Sequence, residues 1–95
     1  MKVEVQRQVH ARLMRIAGQV AGIQRMAHED RYCVDILLQI AAVRAALDQV
    51  GKLMLGAHVE TCVAEAFANG SAGERRKKTE ELLEVFSRFG SVSKR

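Results

Sequence analysis

The residues of this 95-residue chain best suited to chemistry are a histidine and two cysteines. His58 and Cys62 are four residues apart, a spacing that places both side chains on one face of a helix, one turn apart. Imidazole nitrogen and thiolate sulfur both bind Cu(I) and Zn(II) well. Two donors make half a site, and the one other cysteine is Cys33. The three residues together are a candidate metal site, for which the spacing alone is weak evidence.

The same residues allow other interpretations. Cysteine is among the most buried residue types, so each thiol could pack as a small apolar side chain. Cys33 also lies near the start of a predicted helix, a position that favours a reactive thiol, so redox sensing is an alternative. With no export signal in the sequence, both cysteines are expected to be reduced thiols rather than a disulfide.

A long helix is predicted to carry all three candidate ligands. Apolar residues recur at alternating steps of three and four, which is typical of a helix with one apolar seam. The seam comprises Cys33, Ile36, Ile40, Val43, Leu47, Val50, Met54 and Ala57. Asp30 is placed to cap the start of the helix, and Asn69-Gly70 is a typical end. We predict a helix over about 32–68.

Two shorter helices flank the long one, at about 4–28 and about 74–89. The apolar positions of the first are Val9, Leu13, Ile16, Val20, Ile23 and Ala27, and those of the last are Leu82, Leu83, Val85, Phe86 and Phe89. The absence of proline and the small number of glycines argue against a sandwich or barrel of strands. The prediction is an all-α single domain, residues 1–95, with three helices per chain.

The long helix is too long for a compact monomer. Its roughly 37 residues span about 55 Å, whereas a domain of this size has a radius of gyration of about 13 Å. Two shorter helices cannot cover its whole seam, so another chain must bury the remainder. We expect an obligate dimer in which two helical hairpins form an antiparallel four-helix bundle.

Dimerisation also decides whether a metal site can form. Cys33 precedes His58 by 25 residues on one helix, a separation of about 37 Å, which excludes chelation within one chain. A two-fold antiparallel dimer can place Cys33 of one chain beside His58 and Cys62 of the other. Two equivalent sites would then form, each with two sulfur donors and one nitrogen donor.

The charge distribution suggests a polyanionic partner. The chain has 15 basic and 11 acidic residues, a net charge of +4. Residues 1–28 contain five basic residues and one acid, so the net charge of this first segment, +4, equals that of the entire chain. Nucleic acid is the simplest such partner, and a solvated basic face is the alternative.

Several classes of protein are disfavoured. No apolar run approaches the roughly 18 residues that a membrane span needs, and the N-terminal residues do not resemble a signal peptide. A cytoplasmic protein without a membrane partner is therefore expected. The sequence has no Glu-x-x-His motif and no glycine-rich phosphate loop, so an enzyme is not expected.

Four stretches resemble the copper-sensitive operon repressor (CsoR) family, within the wider CsoR/RcnR group of bacterial metal-sensing repressors. The resemblance runs from about Arg12 to Phe86. The stretches are Arg12-Leu13-Met14-Arg15-Ile16-Ala17-Gly18-Gln19-Val20, Tyr32-Cys33-Val34-Asp35-Ile36-Leu37-Leu38-Gln39-Ile40-Ala41-Ala42-Val43, His58-Val59-Glu60-Thr61-Cys62 and Thr79-Glu80-Glu81-Leu82-Leu83. Together these stretches are specific, whereas each alone is not.

The resemblance implies a Cu(I) sensor, because copper sensors of the group have Cys, then His and Cys four residues apart. Nickel and cobalt sensors carry His in place of the second Cys, and persulfide sensors keep both Cys but lack the His. The resemblance also implies that Tyr32 and Glu80 lie near the metal-bound His58. A carboxylate that accepts the second ring N–H would fix the imidazole orientation.

A homotetramer that binds operator DNA is likewise implied. Because no short recognition helix follows a tight turn, the DNA contacts are expected on the outer faces of the bundle, at Arg12, Arg15 and Lys52. The apo form is expected to repress, and Cu(I) binding to release the DNA and derepress copper resistance genes. The alternatives are a thiol- or persulfide-responsive repressor that uses Cys33 and Cys62, or a sensor of another metal.

Overall fold

The chain folds into helices connected by short turns. The structure, a computed structural model, describes the backbone of residues 1–93 and the side chains of residues 1–88. The elements are α1 (Val3–His28), α2 (Cys33–His58), a π turn (Val59–Val63), α3 (Ala64–Asn69) and α4 (Ala72–Ser93). Residues 1–93 contain no strand. The prediction of an all-α fold is confirmed.

The predicted long helix exists as one unbroken rod with a local change of winding. His58, Val63 and Ala64 have right-handed helical dihedral angles, so α2, the π turn and α3 follow one another without a break. The described chain has three helical rods, residues 3–28, 33–69 and 72–93. Its principal extents are 56 × 28 × 18 Å and its radius of gyration is 17.5 Å. That radius exceeds the roughly 13 Å of a compact domain this long.

The core lies between α1 and α2, which pack as a hairpin. Its buried members are Val9 and Ile16 of α1 and Val43 and Val50 of α2. The two in each helix are seven residues apart, so one position of each heptad is buried. Burial of each such side chain stabilises the hairpin by roughly 1.5–3 kcal/mol.

The alternate members of both seams stay exposed. In α1 these are Leu13 and Val20, and in α2 they are Ile40, Leu47 and Met54. The α2 residues are 39%, 46% and 43% exposed. The single chain therefore buries half of its apolar pattern, as a long helix without a second copy would.

The turn between α1 and α2 differs from expectation at Asp30. This residue has φ 56°, in the left-handed region, and its N–H donates to the Ala27 carbonyl at 3.2 Å. The N–H of Arg31 donates to the Met26 carbonyl at 3.0 Å, which completes a Schellman motif. Asp30 therefore ends α1 and does not cap α2. The N-cap of α2 is Tyr32, which makes no side-chain capping bond.

The start of α4 is set by a capping box. The N–H of Glu74 donates to Ser71 Oγ at 3.2 Å, and the N–H of Ser71 donates to Glu74 Oε1 at 2.8 Å. These bonds stabilise the ionised carboxylate and lower the pKa of Glu74. The helix begins at Ala72, two residues before the predicted start. At Gly70 a Cβ atom would lie 2.5 Å from the Ala66 carbonyl oxygen, so this turn requires glycine.

The helix α4 turns back along the preceding rod and packs against α3, the π turn and α2. Leu82 and Val85 are half-buried on this face, whereas Leu83 and Phe86 remain exposed. Phe89, the last apolar residue predicted for this face, lies outside the described side chains. None of the described helices is both long enough and apolar enough to cross a bilayer.

Candidate metal centre and nucleic-acid interface

Two of the three candidate ligands lie at a change in helix winding. His58 is the last residue of α2 and is half-buried, whereas Cys62 lies in the π turn and is exposed. The N–H of Ala64 donates to the Val59 carbonyl five residues back, the hydrogen bond that defines a π turn. Because four residues remain close to one full turn, His58 and Cys62 stay on the same side of the rod. The spacing of the sequence predicts a regular α-helix here and does not reveal the π turn.

Thr61 fixes the local conformation beside Cys62. Its hydroxyl donates to the Ala57 carbonyl at 2.9 Å, and Oγ1 lies 3.6 Å from Cys62 Sγ. A threonine hydroxyl bonded to the carbonyl one turn back bends a helix locally. The thiol of Cys62 therefore lies on a widened turn and faces solvent, where it is accessible to a soft metal ion or to a second chain.

The third candidate ligand lies at the opposite end of α2. Cys33 is the first residue of this helix and is exposed, and the exposed side chain of Tyr32 precedes it. At the rise of an α-helix, Cys33 is about 37 Å from His58. Within the described part of a single chain, no three His, Cys, Asp or Glu residues cluster closely enough to hold a metal ion. One end of the rod thus supplies two donors and the other end supplies one.

The two residues expected near the bound histidine also lie apart. Tyr32 accompanies Cys33 at the start of α2, whereas Glu80 lies on α4, which packs beside the π turn and the end of α2. Glu80 is exposed, and among the described side chains it makes no hydrogen bond to His58. The structure places Glu80 on a helix next to the histidine end of the rod without pairing the two groups.

Two of the three predicted DNA contacts share a cavity. Arg12 and Arg15 of α1 line a small opening of about 70 Å³ with Gln19. Ile16 and Ala46 form the rest of its lining. Both arginine side chains are exposed, and neither forms an ion pair with a described acid. Two arginines and a glutamine thus share one cavity between α1 and α2, and their side chains are donors suited to phosphate oxygens.

Lys52, the third predicted contact, is already paired. Its Nζ lies 3.3 Å from Asp48 Oδ2, one helical turn back. The Asp48 side chain is 11% exposed and the Lys52 side chain 39% exposed. A phosphate would have to compete with Asp48 for this ammonium group. The four-residue spacing of the two residues is the sequence signal for such a pair.

The chain is similar to transcriptional repressors that sense metals. Residues 5–88 match the family model described as metal-sensitive transcriptional repressor. The chain is 49% identical to the copper-sensing transcriptional repressor CsoR of Bacillus subtilis over 82 residues, 86% of this chain and 78% of that protein. It is 48% identical to the copper-sensing transcriptional repressor RicR of Mycobacterium tuberculosis over 69 residues, 73% of this chain and 72% of that protein.

Solved structures show the same fold. The crystal structure of the copper-sensing repressor CsoR with Cu(I) from Geobacillus thermodenitrificans matches with a TM-score of 0.82 and 41% identity, covering 95% of this chain and 91% of that chain. The nickel-responsive transcriptional regulator InrS matches with a TM-score of 0.71 and 36% identity, covering 94% and 93%. The resemblance carried by the four sequence stretches is confirmed.

Proposed function

Because the chain belongs to the family of metal-sensitive transcriptional repressors, we propose that it represses from an operator and is released from DNA by Cu(I). The observation that carries the proposal is the donor set of Cys33, His58 and Cys62 in a chain similar to copper-sensing repressors. The function is regulatory rather than catalytic. A repressor acts where chromosomal DNA lies, so the proposed compartment is the cytoplasm. We assign sensing and DNA binding to one domain, residues 1–95.

The exposed stripe of α2 supports a defined dimer register. Ile40, Leu47 and Met54 share one heptad position, which continues to Cys33 on one side and Thr61 on the other. The positions are symmetric about Leu47. In an antiparallel pairing centred there, Ile40 faces Met54 of the other chain, and Cys33 faces Thr61, next to Cys62. The apolar contacts that bury the stripe thus bring the Cys33 end of each long helix next to the Cys62 end of the other.

The donors suit Cu(I) in type and in accessibility. Both cysteines are free and exposed, and His58 is half-buried one turn from Cys62. Thiolate and imidazole are soft or borderline ligands, and a set of three favours Cu(I) over Zn(II), which usually takes four. We assign Cys33 of one chain and His58 and Cys62 of the other as ligands. When bound, Cu(I) would supply an additional link between the two chains.

We assign Tyr32 and Glu80 to the surroundings of His58. In the register centred on Leu47, Tyr32 of one chain approaches the π turn of the other. Glu80 lies on α4, which already packs against that turn. A movement of α4 toward His58 would let the Glu80 carboxylate accept the free imidazole N–H. The ligand end of each rod is thereby connected to α4.

We assign Arg12, Arg15 and Lys52 to contacts with the DNA backbone. Arg12 and Arg15 lie beside Ala46, near the centre of the proposed dimer, so the cavities of the two chains lie close together. Most such contacts would be to phosphate, so affinity should fall steeply with salt. We further propose a homotetramer, which would carry a charge of about +16, four times that of the chain.

The two ligands are coupled negatively in this proposal. Cys33, His58 and Cys62 hold the chains in one register when metal is bound, and α4 shifts toward Glu80 contact. The arginine cavities then no longer match the spacing of phosphates on DNA. Coupling free energies of about 1–3 kcal/mol are typical and would weaken DNA binding roughly 5- to 150-fold. Genes for copper resistance are the proposed targets.

A thiol sensor is the second candidate, since both cysteines are exposed and the proposed register juxtaposes them. Persulfide or disulfide chemistry between Cys33 and Cys62 would need no histidine. Substitution of His58 therefore distinguishes the two functions, because only the metal sensor requires this residue. A third candidate is a sensor of another metal, which the similarity to a nickel-responsive regulator keeps open.

The test begins with selection of operator sequences by the apo protein from a random DNA library. Fluorescence anisotropy then follows the complex as Cu(I), Ni(II) or a sulfide donor is added without oxygen. We expect release by Cu(I) alone in the native protein, and DNA binding without release in His58→Ala and Cys62→Ala. His28→Ala is the matched control and should respond normally, since His28 lies outside the site. Full Cu(I) release from His58→Ala would refute the ligand assignment.

A further inference from the structure

The first two turns of α4 carry four consecutive basic residues that the proposed sensing site does not use. Arg75, Arg76 and Lys77 are exposed, and among the side chains of residues 1–88 none of the three pairs with an acid. Lys78 is half-buried and lies 3.4 Å from Glu81 Oε1. The basic segment, defined as Arg75 to Lys77, thus presents three unneutralised charges to solvent.

The positive charge of the basic segment does not stabilise the helix that carries it. The N-terminal end of a helix carries partial positive charge, which repels cations in the first turn, where Arg75 lies, and weakens beyond it at Arg76 and Lys77. Glu74, the one acid in that turn, is committed to the capping box with Ser71. Glu80 follows Arg76 by four residues and Lys77 by three and could have paired with either, yet in the described part of α4 the one base that pairs with a following acid is Lys78, with Glu81. An external anion would relieve the repulsion.

The basic segment is far from the arginine cavity. From Ala46 to Asn69 the continuous rod rises about 35 Å, and α4 then turns back along it. The basic segment therefore lies about 25–30 Å from the cavity along the long axis. Within the described residues α4 does not pack against α1, so the segment projects from the far end of the hairpin.

We propose that Arg75, Arg76 and Lys77 form an accessory contact to the DNA phosphate backbone, outside the contact made by Arg12 and Arg15. The inference rests on the proposed function, because it assumes that the partner is duplex DNA. In a dimer centred on Leu47, the two basic segments lie at opposite ends, about 50–60 Å apart. Phosphates recur every 3.4 Å along each strand, so this separation corresponds to about 15–18 base pairs.

Duplex DNA fits the segment better than an anionic membrane does. A helix that binds a membrane surface lies in the plane of the headgroups along its whole length and buries an apolar face. That arrangement would press Glu80 and Glu84, which are exposed, against anionic headgroups. Leu82 and Val85 are also already half-buried against the rest of the chain, which leaves Leu83 and Phe86 as the exposed part of the described apolar face of α4. A DNA backbone can contact the short basic segment alone.

The test compares two full-length triple variants that carry the same change in charge. One is Arg75→Gln, Arg76→Gln, Lys77→Gln, and the control is Lys2→Gln, Arg25→Gln, Arg31→Gln, all at exposed positions. The probe is a 40-base-pair duplex of random sequence, read by fluorescence anisotropy between about 50 and 200 mM salt. Circular dichroism checks folding, and removal of cations near the start of α4 should leave helicity equal or higher.

For the basic-segment variant we expect affinity to fall at least 10-fold. The slope of log K against log salt should become shallower by about 0.9 for each phosphate that the protein no longer neutralises. The control should lose less of the slope than the basic-segment variant, although Lys2 and Arg25 belong to the basic first segment, because Arg31 already lies 3.7 Å from Glu29 Oε1. With a 12-base-pair duplex, which cannot reach both ends, the difference between native protein and basic-segment variant should shrink.

Equal slopes for the two triple variants would overturn the inference. Loss of binding to phosphatidylglycerol vesicles with unchanged DNA binding would also overturn it, in favour of a membrane contact. Failure of the proposed function is a separate result: native protein that Cu(I) does not release from its selected operator. If Cu(I) releases the basic-segment variant and its DNA affinity equals that of the native protein, only the accessory contact is wrong.

Discussion

A mixture of two defective chains tests whether the ligands belong to different chains. In Cys33→Ala every potential site lacks the sulfur donor from the start of α2. In Cys62→Ala every potential site lacks the sulfur donor that follows the end of α2. Neither homodimer has a complete site. A heterodimer of the two has one complete site, because Cys33 of the second variant meets His58 and Cys62 of the first. Each site must be shared between two chains because Cys33 and His58 of one chain are about 37 Å apart along one helix.

The expected stoichiometry follows from symmetry. Unfolding and refolding an equimolar mixture makes half of all dimers heterodimers, each with one complete site. The mixture should therefore bind about one tight Cu(I) per four chains, against about one per chain in the native protein and none in either variant alone. Titration against a Cu(I) chelator without oxygen measures this number, and each variant refolded alone by the same protocol is the control.

Two outcomes would contradict a site shared between chains. Tight binding by either variant alone would mean that the mutated cysteine is not a required ligand. No gain on mixing would mean that the three ligands are not shared between chains in the proposed register. A Leu47→Glu variant supplies a further control, since like charges at the proposed two-fold centre should weaken the dimer and reduce Cu(I) binding with all three ligands intact.

Three further predictions concern single residues of the fold and the DNA surface. Asp30→Gly should raise the free energy of unfolding by about 0.5–1 kcal/mol at fixed protein concentration, because glycine adopts φ 56° without strain; an unchanged denaturation midpoint would contradict this. Since the folded pKa of Glu74 is lowered from its ordinary value of 4.5, its capping contribution is fully present above pH 4.5 and is lost as pH falls through the folded pKa. In Ser71→Ala the backbone N–H at residue 71 can still donate to Glu74, so the Glu74 pKa, read from its carboxyl carbon shift, should rise only part of the way toward 4.5; a pKa equal to that of the native protein would exclude a contribution from the Ser71 side chain. Asp48→Asn frees Lys52 and should raise DNA affinity at least roughly 1.5- to 5-fold, the range for an exposed ion pair, because the Asp48 side chain is only 11% exposed; no change by anisotropy would exclude Lys52 from the interface.

The helical rods were predictable because heptad spacing specifies them directly. The seam that includes Val43 and Val50 predicted both the long helix and its buried face. The start of α4 has a sequence signal as well, since Ser71 and Glu74 form the Ser-x-x-Glu signature of a capping box, whereas the apolar pattern alone places the start near residue 74. Asp30 was assigned to the wrong helix because aspartate favours both N-caps and left-handed C-terminal turns.

Other features of the fold and of the candidate site depend on information that the spacing of residues in the sequence does not contain. The π turn at Val59–Val63 follows no simple periodicity, because one added residue within a turn leaves the flanking pattern helical. The candidate ligands were predictable as residues, since His58 and Cys62 have the spacing of one turn. Their relation to Cys33 was a consequence of helix length. The symmetric exposure of Ile40, Leu47 and Met54, by contrast, depends on which part of the seam α1 covers.

The proposed sensing site can be measured by an anaerobic Cu(I) titration of the reduced protein against a competing chelator, with X-ray absorption of the loaded protein. A site made of Cys33 from one chain and His58 and Cys62 from the other predicts one tight Cu(I) per chain with two sulfur donors and one nitrogen donor. Sulfur-only coordination, or binding too weak to compete with the chelator, would contradict this site and leave His58 outside the sensing chemistry.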